Sequence, residues 1–383
     1  MKLGRPVLRA KEGRVAYEVS VDAQEATRTL WYSVASRFEH LVAATSDCAL
    51  VAMLIPAMAR GEDLRIAGTI SERLYYNLDT LQAVLVEVMP QLRRIRVHAE
   101  DVDSGGARAE GVATGFSGGI DSFSVLMDHY YAEVPRTFKV THLLSNNVGS
   151  HDRGGEALFR RRFERLLPLA ERLGLPFVDV NSNLDEFYTL NHQQTHTARN
   201  ASVALLLGRG IGRFLYASTY RFRDTFIAPY HDSAASELVT LPLLSTERTE
   251  CFSVGSEYSR VQKTLLVAEL ADATDFLDVC VMNTPGPRNC SVCPKCKRTL
   301  FTLELAGKLD RFEKVFDLAA YKRARQRYIG RALFLQSDPF SREIAEFAAE
   351  VKFKPPLSSR LFAEAVRARD WVQALSRPSA RAS

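Results

Sequence analysis

Gly111-Val112-Ala113-Thr114-Gly115-Phe116-Ser117-Gly118-Gly119-Ile120-Asp121-Ser122 decides how the rest of the chain is read. Gly111–Gly115 is a run of small residues that reads as a short strand. Asp121–Tyr131 carries a helical pattern. The turn between them holds two adjacent glycines, which let the backbone approach a ligand that any Cβ would repel. Such a turn aims successive N–H groups outward, and the helix that follows adds its positive N-terminal end. Ser117 and Ser122 add hydroxyl donors, and Asp121 is a candidate to hold Mg²⁺. The segment is an anion cradle. It is not a Walker A loop, because no Gly-Lys-Ser/Thr follows.

Downstream, the chain keeps a strand–helix rhythm. Strands are expected at Lys139–Leu144, Phe177–Val180, Arg213–Ala217 and Phe276–Met282. Helices are expected at Gly155–Leu173, Ala198–Leu207 and Ser259–Ala271. The first of these puts Phe159, Phe163, Leu166 and Ala170 on one face. This alternation predicts an α/β fold with a parallel, doubly wound sheet. Upstream, Leu30–Ser36, Asp63–Ala67 and Arg94–His98 read as strands and Asp47–Arg60 as an apolar helix. Ser71–Met89 is amphipathic through Leu74, Leu78, Leu81, Leu85 and Val88, and Pro90 stops it. The polar, Gly-rich stretch Asp101–Arg108 reads as a boundary. Three segments follow: an N-terminal α+β domain over 1–108 that binds a substrate or partner, a nucleotide domain over 109–330, and a helical C-terminal extension over 331–383. Helices are expected over Thr299–Ala306 and Phe312–Gln326 with Gly307 between them, and Arg377–Ser383 reads as a disordered tail.

With 383 residues, 46% hydrophobic and 25% charged, the chain is neither collagen-like nor mostly disordered. Its longest apolar run, Cys48–Ala59, contains Pro56 and falls short of the roughly 20 residues a bilayer span needs. No secretory signal is read at the N-terminus, so a reducing, cytoplasmic compartment is expected. The net charge of +5 suits phosphate-bearing ligands without favouring nucleic acid. Arg160-Arg161-Arg162 reads as a solvated helix face. Cys48 and Cys251 stand alone, whereas Cys280, Cys290, Cys293 and Cys296 crowd together. Two CxxC turns share Cys293, and Cys280 is expected to reach in from a strand end. Four thiolates suit a closed, tetrahedral, structural Zn²⁺ site. An iron–sulfur cluster on the same sulfurs, or free thiols, are the alternatives.

Ser-Gly-Gly-x-Asp-Ser after the first strand of an α/β unit resembles the pyrophosphate loop of the N-type ATP pyrophosphatases, the PP-loop superfamily. The cysteine spacing, followed by Arg298, is similar to that of its 7-cyano-7-deazaguanine synthase branch. The resemblance implies an adenine nucleotide alpha hydrolase-like sheet and cleavage of ATP between its α- and β-phosphates. AMP is attached to a substrate oxygen and then displaced by a nucleophile. It implies ATP, Mg²⁺ and Zn²⁺ as cofactors, with Ser117, Gly118, Gly119, Asp121 and Ser122 on the nucleotide. Ala198-Arg199-Asn200 is implied to open a helix beside the nucleotide, with Arg199 a phosphate or substrate contact. Lys263 is implied to reach the leaving pyrophosphate, with Arg260 one turn earlier. The likeness covers roughly Gly111–Leu303. The branch's Asp-x-Ser-x-Tyr-Pro-Asp-Cys-Arg segment, which helps bind the deazaguanine, has no match in Tyr216–His231.

The reading is therefore an AMP-forming, ATP-dependent carbon–nitrogen ligase that adenylates a carboxylate or amide for attack by ammonia or an amine. The acceptor is a small molecule or a protein amine, such as one that receives a deazaguanine. Lys2 is no glutaminase nucleophile, so ammonia comes from solution or a separate protein. A homodimer is the expected assembly, and no membrane is involved. Alternatives are an RNA-thiolating or amidating enzyme and a degenerate nucleotide-binding module that docks a partner. Of the remaining polar groups, His192 and His196 are candidates to carry a proton or bind substrate in the cleft. Ser145-Asn146-Asn147 ends a strand where the resemblance implies adenosine. Asp232 and Glu247 are candidates to bind a metal, with exposure to solvent the expected reading.

Overall fold

A computed structural model of the chain describes residues 1–23, 26–151, 155–282 and 289–375. The expected tail Arg377–Ser383 lies outside the described residues. The fold is α/β, and eleven strands form one mixed, mostly parallel sheet. In chain order they are β1 (Lys2–Leu3), β2 (Val7–Lys11), β3 (Arg14–Asp22), β4 (Thr27–Ala35), β5 (Leu64–Ser71), β6 (Val97–Asp103), β7 (Gly111–Gly115), β8 (His142–Asn147), β9 (Phe177–Ser182), β10 (Ile211–Ala217) and β11 (Glu250–Val254). They lie in the order β11-β10-β7-β8-β9-β4-β3-β1-β5-β6, with β2 paired to β3. No described helix is long and apolar enough to cross a membrane.

The chain packs as two compact units. One is Met1–Ser117 with Asp121–Glu257; the other is Gly118–Ile120 with Tyr258–Ser383. This division differs from the segments 1–108, 109–330 and 331–383. The physical reason is the pairing of β4 with β9, antiparallel through Tyr32↔Ser182 and Ser33↔Asn181, which carries the sheet across the expected boundary. Trp31 N–H donates to Asn183 Oδ1 at 2.9 Å beside that seam. One apolar core spans it, with Leu3, Tyr32 and Leu50 from the early chain and Val178, Leu205 and Phe214 from the later.

β7, β8, β9, β10 and β11 pair in parallel. β7 is the first of them in sequence and lies at the centre, between β8 and β10. The winding reverses there, and such a reversal leaves a crevice at the carboxyl ends of the two central strands. The longest apolar run is the helix Asp47–Arg60, buried from Asp47 to Met58, which explains why it shows no polar face.

Several elements differ from expectation. The run Phe276–Met282 is no strand: Ala271–Phe276 is helical, and Cys280 sits on irregular chain. The helix expected at Ala198 begins at His192, where the Asn191 side chain accepts from Gln194 N–H. The helix Ile120–Leu126 widens into a π-turn over Met127–Tyr131. β11 and the helix Glu237–Leu243 add to the expected elements.

Candidate functional site

The loop after β7 leaves the sheet at its centre. Phe116 N–H donates to Leu144 O at 2.8 Å, and the Phe116 ring meets Phe123 edge-on at 5.2 Å. These contacts hold both ends of the turn. Gly118 takes φ of 74°, a conformation side chains rarely adopt. Ser117 is exposed, Asp121 half-buried and Ser122 buried. Ser124 Oγ donates to the Asp121 carbonyl at 2.8 Å. Gly118–Ile120 pack with the second unit, where Asp278 N–H donates to Gly118 O at 2.7 Å.

The second unit holds Lys263, 1% exposed, on the helix Arg260–Val267. Ser259 and Gln262 close a capping box at its start. The Arg260 and Arg298 guanidiniums lie 5.4 and 3.8 Å from the Phe340 ring centre. Burial, then the neighbouring Arg260 charge, lowers the Arg298 pKa. The same helix start meets a buried carboxylate: Arg260 N–H donates to Glu343 Oε2 at 2.7 Å, and Glu343 is 4% exposed.

Arg199 has a different place from the one the resemblance implies. It is fully buried inside the helix His192–Leu206, not at its start. Its Nε donates to Thr195 Oγ1 at 2.8 Å, Nη1 to Val148 O at 2.9 Å and Asp185 Oδ1 at 2.7 Å, and Nη2 to Leu190 O at 3.3 Å. Its guanidinium lies 3.8 Å over the Tyr188 ring. A Cβ at Gly149 would stand 2.2 Å from Arg199 Nη1, so only glycine fits there. In this arrangement Arg199 ties three segments of the first unit together.

The four cysteines Cys280, Cys290, Cys293 and Cys296 bring their sulfurs within 4.8 Å of one another and can hold a metal ion. Cys293 Sγ lies 3.4 Å, and Cys290 Sγ 3.9 Å, from Cys296 Sγ. Zn–S bonds of about 2.3 Å in a tetrahedron set sulfurs about 3.8 Å apart. Backbone N–H groups of Met282, Cys290, Cys293 and Cys296 donate to the sulfurs at 3.3–3.4 Å, which favours thiolates. Cys293 is pulled down to about 4, first by its hydrogen bond with the Cys296 side chain, while Cys296 is pushed up in return. Asn289, 1% exposed, holds the Cys280 segment. Its Oδ1 accepts from Val279 and Cys280 N–H, and its Nδ2 donates to Leu277 O and Val315 O. Nothing in the sequence reading singles it out; an Asn directly before a clustered Cys was the available signal.

A second polar cluster lies at the carboxyl end of β10. His196 is 8% and Asp232 4% exposed, so Asp232 is buried rather than solvated. Its burial follows from the partners that satisfy it. His196 Nε2 stands 3.1 Å from Asp232 Oδ1, Gln193 Nε2 donates to Oδ2 at 2.5 Å, and Tyr220 OH donates to Oδ2 at 3.3 Å. His196 Nδ1 stands 2.7 Å from Tyr216 OH. Burial would raise the Asp232 carboxyl, but the His196 contact, Ala234 N–H and Gln193 hold it below its ordinary value. The His192 ring is 5.8 Å from that of His196. Glu247 is half-buried: Oε1 accepts from Arg73 N–H at 2.7 Å and Oε2 takes the Ser71 hydroxyl. A cavity between the helices Asp47–Arg60, Glu72–Val88 and His192–Leu206 holds about 20 Å³, too little for a substrate.

No family model, no curated protein and no solved structure matches the chain.

Proposed function

We propose that the chain is an AMP-forming, ATP-dependent ligase of the PP-loop type, on an adenine nucleotide alpha hydrolase-like sheet. The loop Ser117–Ser122, which springs from the central parallel strand at the reversal of winding, carries this reading. Its backbone amides would take the β,γ end of ATP, and Asp121 would hold Mg²⁺. A carboxylate or amide oxygen then attacks the α-phosphorus, and pyrophosphate leaves. Negative charge builds on that leaving group, and the resemblance to the PP-loop enzymes assigns Lys263, with Arg260 one turn earlier, to offset it. Ammonia or an amine displaces AMP from the adenylate. Zn²⁺ on Cys280, Cys290, Cys293 and Cys296 would be structural, since four thiolates leave no open position.

Sulfur transfer is disfavoured. Cys251 is 1% exposed in β11, and burial pushes its thiol up to about 12, so it supplies no thiolate at neutral pH. The test is incubation of the chain with ATP, Mg²⁺, ammonium and a panel of carboxylates that includes 7-carboxy-7-deazaguanine. Mass spectrometry should find AMP and pyrophosphate. ADP and phosphate in their place overturn the proposal.

A further inference from the structure

We infer that Tyr216, His196 and Asp232 form a proton relay that deprotonates the amine attacking the adenylate; this rests on the ligase reading above. The three groups are linked at 2.7 and 3.1 Å. Asp232 is ionised at neutral pH, so it accepts from His196 Nε2–H. In the neutral imidazole that the relay requires, Nδ1 carries no proton and accepts from the Tyr216 hydroxyl. Tyr216 keeps that proton: burial, then the Glu237 and Asp232 charges, raise its pKa far above neutrality, and Asn200 opposes them only partly. The charged and titratable groups around the pair are His192 on its own helix, Tyr220 behind Asp232, Glu237, and Asp121 towards the loop.

The relay ends where a reacting centre would sit. Tyr216 is half-buried, two residues past Phe214, whose partner on β7 is Ala113. It therefore stands beside the last residue of β7, at the reversal of winding, where ligands of such sheets bind. That last residue is Gly115, and among the described residues no atom lies within 4 Å of where its Cβ would be. Space is thus left next to the Tyr216 ring. On the neighbouring strand, Asn146 donates through Nδ2 to Asn200 Oδ1 at 2.9 Å, while its Oδ1 is buried and accepts no hydrogen bond from the described residues. A buried acceptor of this kind calls for a hydrogen-bond donor, and the N–H of an amine is one.

The chemistry balances. As the amine nitrogen bonds to the acyl carbon, the carbon–oxygen bond to AMP breaks and AMP leaves with that electron pair. The amine proton passes to the Tyr216 oxygen, and the Tyr216 proton passes to His196 Nδ1. The imidazolium formed is held by the Asp232 carboxylate. Tyr216 is the catalytic residue, and Asp232 is a positioning residue that sets the imidazole tautomer.

The test uses the full chain with ATP, Mg²⁺ and 7-carboxy-7-deazaguanine. It separates pyrophosphate–ATP exchange, in which no proton moves, from amide formation with ammonium. Tyr216→Phe and His196→Gln should keep exchange and lose amide formation by about 100-fold or more. Asp232→Asn should lose it too, with an altered pH profile. Amide formation at the normal rate in Tyr216→Phe, or an equal loss of exchange and amide in all three variants, overturns the relay. Absence of exchange in the unaltered chain overturns the ligase reading instead. The relay is then judged by imidazole nitrogen NMR, which should show the Nε2–H tautomer and a shift of Nδ1 in Tyr216→Phe. An Nδ1–H tautomer overturns it.

Discussion

Asp47 is a carboxylate buried at the start of an apolar helix. Its Oδ1 accepts from Ser71 N–H at 2.7 Å. Burial raises its pKa from the ordinary 3.8 to about 6, against the Ser71 and Thr45 hydrogen bonds. A raised acid binds its proton more tightly in the folded chain. Its contribution is complete below about 3.8, falls as pH rises towards 6, and is gone above. The effect is on the order of 3 kcal/mol. Asp47→Asn, measured by urea unfolding across this range, should lose that part of the pH slope. Asn289 is a second residue with a large share. Asn289→Ala leaves four buried backbone groups without their partner and should cost about 3 kcal/mol or more. Asp121→Ala should abolish AMP release without altering the circular dichroism spectrum. Of these three only Asp121 stands out in the sequence, because the role proposed for it rests on a local motif. Asp47 and Asn289 act through groups distant in the chain, and their residue types carry no mark of it.

Among the elements, β8, β9 and β10 are legible because each is a short, largely buried apolar run between helix signals, whereas β11, also parallel, is not among the expected strands. Arg14–Asp22 is legible too, through the buried alternation of Val15, Tyr17, Val19 and Val21, but the sequence reading does not use it. Phe276–Met282 misleads for a physical reason. Its apolar residues serve a loop fixed by Asn289 and by sulfur, not by strand pairing. The CxxC turns themselves are local: Cys293 caps the helix Pro294–Leu305 and accepts from Cys296 N–H. The purified chain should carry about one zinc ion, read by plasma mass spectrometry. Cys293→Ser should lose the metal and reduce solubility before it reduces turnover per soluble molecule.

At the scale of the whole molecule, the sequence suggests a boundary near residue 108, because a polar Gly-rich stretch resembles a linker. Composition reports local chain stiffness; it does not report that β4 pairs with β9. Since one core crosses that pairing, a chain truncated to residues 109–383 should be insoluble or molten, as read by near-UV circular dichroism and gel filtration. Recovery of a folded, monodisperse product would show that the later strands stand alone.

The antiparallel pairing of β4 with β9 also bears on biosynthesis. In a five-stranded parallel array β9 would be a bare margin, able to recruit strands from other chains. Translation runs from the N-terminus, so the hairpin of β3 and β4 leaves the ribosome well before β9 does. The nascent polypeptide thus holds a mate ready for the β9 margin before that margin exists. A circular permutant that is made with residues 109–383 first reverses this schedule. It should give more inclusion bodies on expression at equal final stability.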